Sequence, residues 1–92
     1  LKVWDGLGFA SKAAQQMDNP DRFVPVQTLR DAIESTKACL DPRGSLAEMH
    51  YTTMTKNGQT YNLEVLYDKA TNTVYHFEYT RKAIGDLPAI PK

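Results

Sequence analysis

The stretch MHYTTMTKNGQTYNLEVLYDKATNTVYHFEY, residues 49–79, decides the fold. Asn57-Gly58 lies between two runs rich in β-branched and aromatic residues. A two-residue type I′ turn needs positive φ at both central positions, which Asn-Gly supplies at least cost. The turn predicts a hairpin with Lys56 opposite Gln59, Met54 opposite Tyr61, Thr52 opposite Leu63 and His50 opposite Val65. The second connection, KATNT, suits a three-residue loop with Asn72 left-handed and Lys69 opposite Thr73. Tyr67 then faces Tyr75, Val65 faces Phe77 and Leu63 faces Tyr79.

This register sorts the sheet into two faces, because strand side chains alternate. One face carries Met54, Tyr61, Leu63, Val65, Tyr67, Tyr75, Phe77 and Tyr79, and has to be covered. The other carries Tyr51, Thr53, Asn62, Glu64, His76, Glu78 and Thr80, with Leu66 and Val74 at one end. A four-residue second loop would slip the third strand by one. His76 and Glu78 would then fall among the apolar residues, at the cost of desolvating a charge.

What covers the apolar face has to come from the first half of the chain. SKAAQQM offers Ser11 as an N-cap, with Ala13, Ala14 and Met17 at helical spacing. Pro20 and Pro25 break the chain after it. A second helix is expected to start near Pro25, at a first helical position, or at Thr28, whose Thr-x-x-Asp with Asp31 resembles a capping box. Leu29, Ala32, Ile33 and Thr36 form one stripe, with Leu40 a turn later, until DPRG stops the helix. The Pro-rich tail suggests a short edge strand at residues 87–90. The expected fold class is α+β, in one domain over residues 1–92. Residues 1–45 form its helical part and residues 46–92 an antiparallel sheet, with the N-terminal helices packed on one sheet face.

Composition narrows the function. Apolar residues make up 41% and charged residues 24% of the 92, as in an ordinary globular domain, and one modest core has to carry it. No apolar run reaches the ~20 residues of a membrane-spanning helix. The chain begins at Leu1, which suggests a piece of something longer. Cys39 is the sole cysteine, so an internal disulfide or a cysteine-based zinc site is not available. Formal net charge is zero, and residues 1–45 and 46–92 are each balanced. A nucleic-acid role would therefore have to rest on a local basic cluster.

The polar face holds the best chemical constellation. Glu64 and Glu78 are expected opposite each other, with His76 diagonal to Glu64, about 7–8 Å away at the backbone and within reach of long side chains. Carboxylates beside an imidazole favour its protonated form and keep it available as an acid. Thr80, Asn62, Thr53 and Tyr51 are candidate hydrogen-bond donors to a bound anion. Lys56, Arg81 and Lys82 lie near the ends of the sheet, and Lys12 and Arg22 are placed to border it from the helices. Polarity on that face is also what a one-sided antiparallel sheet requires. Surface Lys and Arg serve solubility by default. His50 falls on the apolar side and reads as a tucked, hydrogen-bonded histidine. With two histidines on different faces, no histidine-rich metal site is expected. The tyrosines invite a base-stacking reading, but most map to the core. No Gly-rich phosphate loop, nucleophile elbow or His-Glu-x-x-His signature occurs.

The order of blocks in FASKAAQQMDNPDRFVPVQTLRDAIESTK, DPRGS and HYTTMTKNGQTYNLEVLYDKATNTVYHFEYTRK resembles the C-terminal toxin domains of contact-dependent growth inhibition and Rhs-type polymorphic toxins. The resemblance implies a barnase/EndoU/colicin/RelE-like fold, with catalytic groups on the sheet face opposite the helices. It also implies metal-independent cleavage of RNA, often tRNA, without a cofactor. Such a domain is carried at the end of a large secreted cell-surface effector and acts in the cytoplasm of the target cell. Its partners would be RNA and a cognate immunity protein, with a host accessory factor as a further possibility. Neutral net charge departs from the usual basic ribonuclease.

Chemistry and resemblance together assign His76 as acid or base and Glu64 or Glu78 as its partner. Thr80 is the phosphate donor, and Arg81 and Lys56 are cations near the substrate, with Tyr51, Asn62 and Thr53 beside them. The alternative from a different class is a non-catalytic protein-binding module of a secreted effector, which zero net charge favours.

Overall fold

The computed structural model describes residues 2–80, which form six strands and two helices. In chain order these are β1 (Lys2–Trp4), β2 (Leu7–Phe9), α1 (Ser11–Met17), α2 (Val26–Ser35), β3 (Cys39–Leu40), β4 (Glu48–Lys56), β5 (Gln59–Asp68) and β6 (Thr73–Thr80). One sheet contains all six strands in the order β1-β2-β6-β5-β4-β3. The architecture is α+β. Among the described residues no helix is long and apolar enough to cross a membrane. The expected edge strand at residues 87–90 lies outside the described residues.

The sheet is mixed rather than antiparallel, and strands also occur within residues 1–45. Asp5-Gly6 closes a β1–β2 hairpin with φ of 49° and 83°, the same turn chemistry as Asn57-Gly58 at 52° and 78°. β2 then runs parallel to β6, with Gly8 opposite Thr73 and Phe9 opposite Val74. Gly8 permits this approach: a Cβ there would lie 3.2 Å from Thr73 Oγ1 and 3.3 Å from the Asn72 carbonyl oxygen. Asn72, left-handed at φ 53°, ties the strands together. Its side-chain amide donates to the Gly6 carbonyl at 2.7 Å and its carbonyl oxygen accepts the Gly8 N–H at 3.0 Å.

The first hairpin pairs as its turn requires, from Glu48 opposite Tyr67 to Lys56 opposite Gln59. The second differs from expectation at its loop. Asp68, not Lys69, stands opposite Thr73, and Tyr67 faces Val74 rather than Tyr75. The loop therefore has four residues. A β-bulge at Tyr75 of β6, facing the Leu66–Tyr67 step of β5, takes up the slip, since Leu66 is again opposite His76 and Val65 opposite Phe77. The slip is confined to one end of the strand. Val74 turns into the core with no exposure, Tyr75 turns out at 38%, and His76 and Glu78 keep the polar face.

Both helices deliver small and branched residues to one core. Ala13, Ala14 and Met17 of α1 and Leu29 and Ala32 of α2 join Leu7, Phe9, Met54, Leu63, Val65, Val74 and Phe77. Phe9 and Phe77 meet edge to face at 6.4 Å. The helix limits differ from the sequence reading at three points. Ala10, not Ser11, caps α1 without a side-chain bond, because Ala10 is already held by its N–H to the Val74 carbonyl at 3.0 Å. Pro25 caps α2 and no Thr28–Asp31 box forms; Asp31 instead accepts the Gln27 side-chain amide at 2.8 Å. The helix ends at Ser35, ahead of DPRG, where extended Thr36 donates its hydroxyl to the Ala32 carbonyl at 2.6 Å and sends the chain into β3. Leu40 consequently leaves the helical stripe and is 92% exposed.

Candidate functional site

His76 and Glu64 sit on adjacent strands, two residues out of register, and their side chains meet diagonally. His76 Nε2 is 2.8 Å from Glu64 Oε2. An ionised carboxylate only accepts hydrogen bonds, so Nε2 carries the proton and Nδ1 is left to exchange one with a bound molecule. The imidazole is 36% and the carboxylate 19% exposed, which leaves both partly open to solvent. Tyr51 of β4 stands opposite Glu64. Its phenol is pushed above the ordinary tyrosine value, first by desolvation and then by the Glu64 charge, so it remains a donor at neutral pH.

Two cavities meet at the His76 ring. The larger, about 590 Å³, is lined by Lys12, Gln16 and Arg22 together with Arg43, Tyr75 and His76. The smaller, about 140 Å³, is lined by Pro42, Met49, Tyr51 and Leu66, with Asp41, Arg43, Glu64 and His76 around them. Arg43 belongs to both. It is held there by a compact turn: Asp41 accepts the Arg43 N–H at 2.9 Å and the Ser45 N–H at 3.1 Å, and its carbonyl accepts the Gly44 N–H at 2.9 Å. Gly44 supplies the positive φ of 85° that the turn needs. Hydrogen bonds from Ser45 and Arg43 hold the Asp41 carboxyl below its usual range.

Not every candidate residue reaches the imidazole. Glu78 is opposite Glu64, as expected, but pairs with Arg22 at 3.7 Å. Thr80 and Thr53 are both register partners of Asn62, farther along the same face, and Asn62 is fully buried. None of these four lines either cavity. Lys56 lies on the other face, over the Tyr79 ring. Its ammonium is committed to the Pro20 carbonyl at 2.9 Å, the Phe23 carbonyl at 3.2 Å and the Tyr79 hydroxyl at 2.8 Å. It acts as a structural clamp on the loop between the helices. Arg81 lies outside the described residues. Among the described residues no three His, Cys, Asp or Glu side chains converge as metal ligands.

Arg43 is the residue the sequence reading missed. DPRG announces a turn, but only the folded chain lays that turn beside His76. His50 is tucked as expected, buried beneath α2 with Nδ1 3.0 Å from Thr36 Oγ1. Since the Thr36 hydroxyl proton is spent on the Ala32 carbonyl, Nδ1–H of His50 is the donor in that contact. No family model, no curated protein and no solved structure matches the chain.

Proposed function

We propose that the chain is a metal-independent endoribonuclease of the barnase/EndoU/colicin/RelE-like kind, the toxin portion of a polymorphic antibacterial effector that cleaves RNA, with tRNA as the expected target. The observation that carries this reading is the hydrogen-bonded His76–Glu64 pair, open to a cleft bordered by three cations on a protein of zero net charge. The resemblance of the sequence blocks to those of such toxins supports it, as does an α+β layout whose helices bury their apolar residues against the sheet.

In this reading the free ends of the pair are the two proton carriers. Glu64 Oε1 takes the proton of a ribose 2′-hydroxyl as the O2′–P bond forms. The imidazolium Nδ1 of His76 gives a proton to the 5′-oxygen as the P–O5′ bond breaks. The products are a 2′,3′-cyclic phosphate and a free 5′-hydroxyl. Positioned acid–base catalysis of this type contributes about 10²–10⁴-fold. Lys12, Arg22 and Arg43 stabilise the charge that builds on the phosphorane. The exposed Arg22–Glu78 pair is weak enough to exchange its carboxylate for a phosphate. Secretion at the end of a large effector, action in a rival cell and neutralisation by an immunity protein complete the reading.

Incubation of the pure domain with total tRNA, with and without EDTA, tests it. Discrete fragments that survive chelation and vanish in a folded His76→Ala variant are expected. RNA left intact by abundant protein sinks the proposal and favours a non-catalytic protein-binding module. Harmless production in bacteria lacking a protective partner speaks against a toxin.

A further inference from the structure

Beside the His76–Glu64 pair lies the second cavity, which acid–base chemistry alone does not use. It measures about 140 Å³. An apolar cavity of ~150 Å³ holds a single benzene ring. Its apolar lining comes from Pro42, Met49 and Leu66, and Tyr51 and Arg43 line it too, with Asp41, Glu64 and His76. An aromatic side chain and a guanidinium are the partners on which unpaired bases stack in single-stranded RNA recognition. The slot adjoins the imidazole and shares Arg43, Leu66 and His76 with the larger basic cleft.

We propose that this slot binds one pyrimidine base, that of the nucleotide whose 2′-hydroxyl attacks, and makes the enzyme cut after uridine or cytidine. The inference rests on the ribonuclease reading and adds a specificity to it. A six-membered ring matches a cavity of about 140 Å³, and the fused rings of a purine exceed it. With the base in the slot, the ribose spans to His76 and Glu64, and the phosphate that follows enters the cleft bordered by Lys12, Arg22 and Arg43. The Tyr51 phenol, protonated at neutral pH, is a donor suited to the O2 carbonyl that uracil and cytosine share. Tyr51 is thus a base-binding residue, distinct from the two proton carriers.

The four nucleoside 3′-monophosphates, titrated into the full chain in EDTA and followed by calorimetry, test the slot without requiring turnover. 3′-UMP and 3′-CMP are expected to bind at least about tenfold more tightly than 3′-AMP and 3′-GMP, the scale on which a pocket discriminates by size. Leu66→Trp, which fills the slot, should erase the preference and leave weak phosphate binding. Should that variant fail to fold, Tyr51→Phe reads the same point through a loss of pyrimidine affinity alone. Equal affinities, a purine preference or no binding in the unmodified chain would each overturn the slot. Cleavage of total tRNA by the same preparation separates the two ideas. Pyrimidine-selective binding without cleavage keeps the slot and sinks the ribonuclease, whereas cleavage without base preference does the reverse.

Discussion

The Tyr75 hydroxyl donates to Asp68 Oδ2 at 2.9 Å, so the residue turned out by the β6 bulge is bonded to the last residue of β5. Asp68 also accepts from the Thr71 hydroxyl at 2.9 Å and the Ala70 N–H at 3.1 Å, so one carboxylate organises the whole four-residue turn. These bonds hold it below the ordinary carboxylate value of 3.8, with Tyr75 the largest influence and Thr71 next. The bulge is what returns His76 to the polar face, and its fastening therefore bears on the site.

A depressed carboxylate stabilises the fold above its unfolded pKa, and the contribution is lost as pH falls through the folded value. The melting temperature of the protein is expected to fall more steeply below pH 3.8 than that of Asp68→Asn. Tyr75→Phe should lower the melting temperature modestly at neutral pH and loosen the His76 ring. Thermal melts across an acid pH series check the first point, and the line width of the His76 ring resonances checks the second. Parallel pH profiles for the two proteins would show that Asp68 does not organise the turn.

His50 titrates on the buried side of the sheet. Desolvation is the largest influence and lowers it below the ordinary 6.5, against an opposing pull from Glu48. A histidine whose folded pKa lies below its unfolded one stabilises the fold fully above the unfolded value. That stabilisation is lost as pH drops from there through the folded value. The urea midpoint is expected to fall as pH drops below the ordinary 6.5, and to change less in His50→Gln.

The register of β6 can be read from stability alone. Val74 has no exposure and Tyr75 is 38% exposed, so Val74→Ala should cost about 2 kcal/mol and Tyr75→Ala clearly less. Phe77→Ala removes the edge-to-face contact with Phe9 and should cost about 3–5 kcal/mol. Denaturant unfolding measures all three. A larger loss for Tyr75 than for Val74 would mean that the strand pairs without its bulge.

Arg43 borders both cavities from an exposed turn, where the ribonuclease reading needs a phosphate contact. Arg43→Ala is expected to weaken binding of single-stranded RNA and to reduce the slope of log K against log salt by about 0.7–1. Stability should barely change, since the Asp41 turn is made by backbone N–H groups. A salt titration by fluorescence anisotropy, using His76→Ala protein and its Arg43→Ala double variant to prevent turnover, gives both slopes. An unchanged slope removes Arg43 from the RNA path.

How much of this was legible beforehand follows from the range over which each signal acts. Asn57-Gly58 set the β4–β5 register, and strand alternation turned His76, Glu64 and Glu78 to one side, because turn sterics and pleat operate within a few neighbouring residues. Asp5-Gly6 carried the same signal for β1–β2, but a three-residue strand has too little alternation to declare itself. Other features required the chain to close on itself. The parallel contact of β2 with β6, the bulge at Tyr75 and the Asp41 turn beside His76 join segments far apart in the chain. Composition and local periodicity determined an α+β domain with a polar sheet face. Only tertiary structure decided which cations border it and which are spent elsewhere, because both Lys56 and Arg43 are surface cations in the sequence and the fold carries them to different places.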